Sequence, residues 1–286
     1  MELGIAIAGI LPLAVEFSKM SKRYYKSFRR APIEAQRFGT LIEEISDTLT
    51  MFCKTARDVE ERKIAFARSR KTKRAVARLK RVMEASIREI RPILRKLKPI
   101  GNRKYPWIKR TIAKINWVTG DEREIKNLMV NLNTTKLDVG LLFNMFSANI
   151  QLKILEELEK NGQQIPKYLV QEIILLKERN KILNRRYKEA VKQRDALAAS
   201  TVTNNTKSNR EGFASLSMSF GQDVHAIIEE EMPTVEATIE EIVKDHSGSS
   251  TIEIITSSTT TDFSAPGNEV KFRTIYNMTS DADFVR

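Results

Sequence analysis

The chain has 286 residues, 41% of them hydrophobic and 30% charged, enough apolar material for one large or two small domains. With only 11 Gly and 8 Pro it reads as all-α, which excludes a β-sandwich or barrel. The net charge of +13 is unevenly spread: residues 1–200 hold 43 Lys/Arg against 22 Asp/Glu, and residues 201–286 hold 6 against 14. A basic front and an acidic tail point to an anionic partner: a membrane surface, nucleic acid, or the tail itself. Cys53, the single cysteine, has no internal disulfide partner and fits a reducing, cytoplasmic setting.

In chain order, Leu3 to Val15 come first and carry no charge. Such a run is shorter than the roughly 20 residues a bilayer crossing needs, and with Glu2 before it, it does not read as a signal peptide. It is either a buried first helix kinked at Pro12 or a segment that leaves the bundle and enters a lipid interface. In the second case Ile5, Ile7, Ile10, Leu11, Leu13 and Val15 are the insertion candidates. The basic and aromatic residues that follow, among them Lys22, Arg23, Lys26, Arg29 and Arg30, would then meet the headgroups.

Ala31-Pro32 breaks the chain and opens a second helix, whose apolar face is Ile33, Phe38, Leu41, Ile42, Ile45, Leu49 and Phe52. Residues 62–81 hold ten Lys or Arg. Arg68, Arg70, Lys71, Lys73 and Arg74 are candidates for binding an anionic surface, against the plainer reading of a solvated helix face. An apolar stripe from Val76 through Leu79, Val82, Met83, Ile87, Ile90 and Leu94 to Leu97 runs on from this segment, so it is helical rather than a disordered tail. No zinc-finger cysteines and no aromatic RNA-binding signature accompany the run, which makes nucleic acid the weaker partner.

After a loop over 101–106, a short helix is expected from Trp107 to Trp117. A long helix follows, capped by Thr119 or Asp121 with acidic residues in its first turn. Trp117 is placed to staple the incoming chain onto it. Its predicted face is Ile125, Leu128, Leu132, Val139, Leu142, Phe146 and Ile150, interrupted by a polar turn around Thr135. Asn161-Gly162 stops this helix, and Pro166 restarts another. There Leu169, Ile173, Leu176, Asn180, Leu183, Tyr187, Ala190 and Leu197 sit near a and d of a heptad, with Arg194 interrupting it. A polar a residue such as Asn180 fixes register in a coiled coil, so the segment either self-associates or packs back on the bundle.

From about residue 199 Ser, Thr and Asn dominate. The tail 199–286 is expected to be mostly disordered, with helical periodicity only around Val224–Val243 and an acidic helix near Met232–Val243. Two short β-prone patches, Thr251–Thr256 and Val270–Tyr276, remain within it.

Two stretches carry a family resemblance: Ala-Pro-Ile-Glu-Ala-Gln-Arg-Phe at 31–38, and Trp-Val-Thr-Gly-Asp-Glu-Arg-Glu-Ile-Lys-Asn-Leu at 117–128, continued by Lys-Leu-Asp-Val-Gly-Leu-Leu at 136–142. Together with the apolar first segment, residues 1–150 resemble a fungal N-terminal helical domain. That domain is found at the front of NACHT-type and ankyrin-bearing proteins and in a protein encoded with an azaphilone pigment cluster. It is similar in turn to the HeLo and HeLo-like domains of fungal incompatibility proteins. Glu34, Phe38, Trp117, Glu124, Leu128 and Lys136 fall on the recurrent positions. The resemblance implies a helical bundle whose first segment is released to permeabilise membranes in programmed cell death, with an amyloid-forming trigger in the tail.

Enzyme signatures are missing from the sequence. No phosphate-binding Gly-rich loop, nucleophile elbow or His-Glu-x-x-His motif is present. His225 and His246 fall in the segment expected to be flexible, without partners, and Cys53 on an apolar face reads as a small core residue. The expectation is therefore a non-enzymatic module with no cofactor, metal or small-molecule substrate. It comprises a bundle over 1–150, a helical extension with a coiled-coil-like segment over 151–198, and a disordered acidic tail over 199–286. Its partners are another protein or a second copy, with an anionic membrane engaged on activation; the main alternative is a soluble adaptor.

Overall fold

The computed structural model describes residues 3–28, 33–101, 104–116, 122–201 and 210–247, and among them every regular element is helical. The elements are α1 (Leu3–Phe28), α2 (Ile33–Glu61), α3 (Ala65–Arg68), α4 (Arg70–Gly101), α5 (Trp107–Asn116), α6 (Glu122–Lys160), α7 (Lys167–Thr201) and α8 (Arg210–Ser247). The all-α reading is correct. Trp117, Arg29, Arg30 and the two β-prone patches of the tail lie outside the described residues, as do the side chains of Lys26, Glu34 and Glu124.

The periodic apolar positions become the core. Phe38, Leu41, Ile42, Ile45, Leu49 and Phe52 of α2 are buried, and so are Val76, Leu79, Met83, Ile87, Ile90, Leu94 and Leu97 of α4. Ile33, at the first position of α2, is instead exposed. Burying each such aliphatic or aromatic side chain contributes about 2 kcal/mol against the entropy of ordering it. Phe146 of α6 receives Phe52 and Phe66 edge-on, with ring centroids at 5.5 and 5.1 Å. This geometry matches the quadrupoles of the rings.

The middle of α6 is buried nearly all the way round. Thr134, Thr135, Asp138 and Asn144 are as inaccessible as Leu132, Leu141 and Phe146. The polar turn expected at Thr135 is thus interior, and the Thr135 hydroxyl pairs with that of Ser217 on α8 at 2.7 Å. A helix enclosed on all sides loses the one-faced pattern that marks a surface helix. Its enclosure comes from α2, α7 and α8.

The first helix continues through Pro12, which lies on the exposed side. α1 packs against both α2 and α4 and is anchored along its length. The Gly4 N–H donates to Glu60 Oε1 (2.8 Å), the Ser46 hydroxyl donates to the Ala14 carbonyl (3.0 Å), and Arg91 pairs with Glu16 (2.5 Å). A Cβ at Gly4 would fall 2.5 Å from Glu60 Oε2, so a side chain there would make that carboxylate shift.

The tail departs most from expectation. Instead of a short acidic helix near 232–243, one helix runs from Arg210 to Ser247. Phe213, Phe220, Val224, Ile227, Ile228 and Val235 are buried along it, and the chain through His246 makes one compact unit. Disorder is thus the wrong reading for 210–247. The spacing of these residues is helical, but Gly212, Ser215, Ser217, Ser219 and Gly221 fall among them and dilute the apolar signal. The coiled-coil positions of α7 are likewise consumed within the chain. Leu169, Ile173, Leu176 and Asn180 are buried, and Asn144 Nδ2 of α6 donates to Asn180 Oδ1 at 3.1 Å. Asn180 therefore sets register between α6 and α7.

Candidate functional site

The insertion candidates divide by helical phase. Ile7 and Ile10 are buried at 3% and 0% exposure, Leu11 and Leu13 are half-buried, and Ile5 and Val15 are exposed at 61% and 46%. Ile5, Ala8, Pro12 and Val15 recur at three- and four-residue steps on the outer side of α1, and exposed Lys19, Lys22 and Arg23 continue it. One outward face thus runs from apolar to basic. Leu3–Tyr24 is also the one stretch among the described residues long and apolar enough to cross a membrane, a test that core helices of soluble proteins pass as well.

The two basic clusters stand apart. Leu3 shares a cleft of about 250 Å³ with Glu60, Arg68 and Lys73, the position of Gly9 is covered by the Lys80 side chain, and Glu16 pairs with Arg91. α1 and α4 therefore run parallel. Lys22 is then about 28 Å along α1 from Leu3, at the opposite end of the bundle from Arg68 and Lys73. The Lys22–Arg23 cluster and the Arg68–Arg74 cluster do not form one patch.

Part of the second cluster is occupied by α8. Asp223 receives Arg78 at 2.5 Å and Arg74 at 3.6 Å, Arg78 also donates to the Ser219 carbonyl at 2.8 Å, and Glu230 receives Lys71 at 2.6 Å. The acidic segment folds back on the basic helix, which neutralises its inner row. Arg68, Arg70 and Lys73 remain, beside the Asp223-paired Arg74, around an open cleft of about 380 Å³. No carboxylate lies in the first turn of α4, where the helix dipole repels cations, so these charges raise the local positive potential together.

A buried polar cluster at the junction of α6, α7 and α8 is not apparent in the sequence. Asp138 is fully enclosed, His225 Nε2 lies 4.0 Å from its Oδ1, and the Tyr187 and His225 rings lie 4.1 Å apart. Neither Asp138 oxygen nor His225 Nε2 has a hydrogen-bond partner among the described residues. Burial holds the Asp138 carboxyl well above the usual range, with Arg194 opposing. Burial also pushes His225 down, with Glu229 opposing and Lys188 adding to the shift. Burial, reinforced by Asp138, raises Tyr187 to about 12. A Cβ at Gly221 would come within 2.9 Å of both Asp138 Oδ2 and the Tyr187 hydroxyl, so a side chain there would displace one of these groups. His225 is thus a half-buried residue of α8 packed against Tyr187, contrary to the expectation of a flexible tail histidine. The sequence signal was slight: one Asp and one His, 87 residues apart.

Cys53 is buried, and its thiol is pushed up to about 11 by desolvation, with Arg57 opposing; such a thiol is a poor nucleophile. Among the described residues no group of three His, Cys, Asp or Glu is placed to hold a metal. Of the residues on which the family resemblance rests, Phe38 and Leu128 are buried and Lys136 pairs with Glu44 at 2.7 Å. These are packing and surface ion-pair roles. No family model, no curated protein and no solved structure matches the chain.

Proposed function

We propose that the chain is a non-enzymatic helical signalling or effector module that associates with itself and with an anionic membrane, in a response of the cell-death or incompatibility type. The observation that carries this reading is the outward face of α1. Its apolar residues Ile5, Ala8, Pro12 and Val15 continue into Lys19, Lys22 and Arg23. Such a face suits the headgroup–acyl boundary of a charged leaflet. The resemblance of residues 1–150 to fungal N-terminal and HeLo-like domains supports the same reading, and the outward residues Tyr168, Leu175 and Ile182 of α7, one heptad apart, offer a seam for a second copy.

The test is dye leakage from vesicles with and without phosphatidylserine. Deleting residues 2–15 would also remove buried Leu3, Ile7 and Ile10, so the surface variant Ile5→Ser/Val15→Ser is the better probe. The reading requires leakage that depends on acidic lipid and is reduced by that variant. Glu60→Ala, which removes the anchor of Gly4, should increase leakage if α1 must leave the bundle.

A soluble adaptor is the second reading, favoured by the contacts of Glu60, Ser46 and Arg91 that hold α1 in place. Wild-type protein that neither binds nor permeabilises anionic vesicles would support it.

A further inference from the structure

We infer that α5 is an interfacial docking helix for an anionic lipid surface. Trp107, Ile108 and Ile112 are exposed at 68%, 54% and 51%, and they span an arc of about 140° on the helix. None of residues 107–113 is buried. Arg110 is directed the other way: its Nε is shielded from solvent and has no hydrogen-bond partner among the described residues. This reverses the usual surface helix, which turns its apolar side inward. A ten-residue helix is marginal by itself, and an outward Trp-Ile face adds no stability until something covers it.

Charge selects the cover. Residues 101–116 include Arg103, Lys104, Lys109, Arg110 and Lys114 and no Asp or Glu. A protein partner would have to bring its own acidic groups, whereas an acidic leaflet supplies negative charge and an apolar layer together, and Trp favours that boundary. α5 packs on α4 at the end where α1 carries Lys22 and Arg23, so the basic end of the α1 face and the α5 face belong to the same end of the bundle. The inference deepens the membrane reading, on which it rests, by naming a second surface, beside the α1 face, that enters the lipid.

The experiment uses the full chain with Trp117→Phe, leaving Trp107 as the sole indole, its fold checked by circular dichroism. Vesicles of phosphatidylcholine with phosphatidylserine should shift Trp107 emission to the blue and expose it to quenching by brominated acyl chains, while phosphatidylcholine alone should not. In co-sedimentation, Ile108→Ser/Ile112→Ser should weaken vesicle binding by about tenfold or more, and added salt should weaken it further. Undiminished sedimentation of that variant with unmoved Trp107 emission would overturn the α5 inference while leaving membrane association through α1 standing. Failure of the wild type to bind any vesicle would overturn both. Emission already blue without lipid, and reddened by dilution or by removing residues 248–286, would assign the face to a second copy or to the tail and overturn the lipid assignment.

Discussion

His225 on α8 points Nε2 toward Oδ1 of Asp138 on α6 across 4.0 Å, and the carboxylate it approaches is fully buried. The two groups respond to pH in opposite ways. Asp138 is raised from 3.8 by burial, so its contribution to stability is present below that value and is lost as pH rises toward and through the folded value. His225 is lowered from 6.5, so its contribution is present above 6.5 and is lost as pH falls through the folded value. Asp138→Asn should therefore unfold at higher urea than wild type at about pH 8, and the gap should shrink toward about pH 4. A gap that widens on acidification would show that Asp138 is stabilised as a carboxylate.

The contacts of α8 with α4 should be unequal. The Arg78–Asp223 pair is mostly buried, with side chains 22% and 16% exposed, while Lys71 and Glu230 are each more than half exposed. Asp223→Asn leaves Arg78 without its counter-ion and should cost about 1–3 kcal/mol. Glu230→Gln should cost under about 0.5 kcal/mol. Urea midpoints, with trypsin cleavage within α4 as a local probe, measure both.

Asn144 and Asn180 should behave as a unit. Asn180→Leu alone strands the Asn144 amide and should cost about 1–3 kcal/mol, whereas the double change to Leu should recover most of the loss. Sedimentation should show the same oligomeric state in all three forms, because the amide pair lies within one chain. A change of oligomer in the single variant would instead place Asn180 at an interface between copies.

The turn after α2 holds an avoidable strain. Lys63 has φ of +55°, the Lys63 N–H bonds the Glu60 carbonyl at 3.0 Å and the Ile64 N–H bonds the Val59 carbonyl at 3.2 Å. That pattern ends a helix with a left-handed residue, normally glycine. Gly162 fills the same position after α6 with φ of +63°. Lys63→Gly should raise stability by about 1 kcal/mol, read from the urea midpoint.

The parts read correctly from sequence were those with a one-sided pattern. Phe38 to Phe52 and Val76 to Leu97 repeat at helical spacing because each helix buries one stripe, and periodicity reports a stripe directly. The pattern failed where burial is not one-sided. Around Thr135 the helix is enclosed nearly all the way round, and along α8 Ser217 and Gly221 share the buried face, so apolar spacing underreports both. The candidate site was readable by residue type only: apolar residues in α1 and two basic runs.

By itself the sequence determined an all-α fold, the buried stripes of α2 and α4, the stop at Gly162 and the division of charge, because these depend on neighbours within a few turns. Tertiary structure alone decided which side of α1 faces outward, with Ile5 and Val15 exposed and Ile7 and Ile10 buried. It also separated Lys22 from Arg68 by the length of a helix, matched Asp223 to Arg78 and placed His225 beside Asp138. Each of these depends on how helices distant in the chain pack together, and periodicity along one helix carries no information about the phase or register of its neighbour.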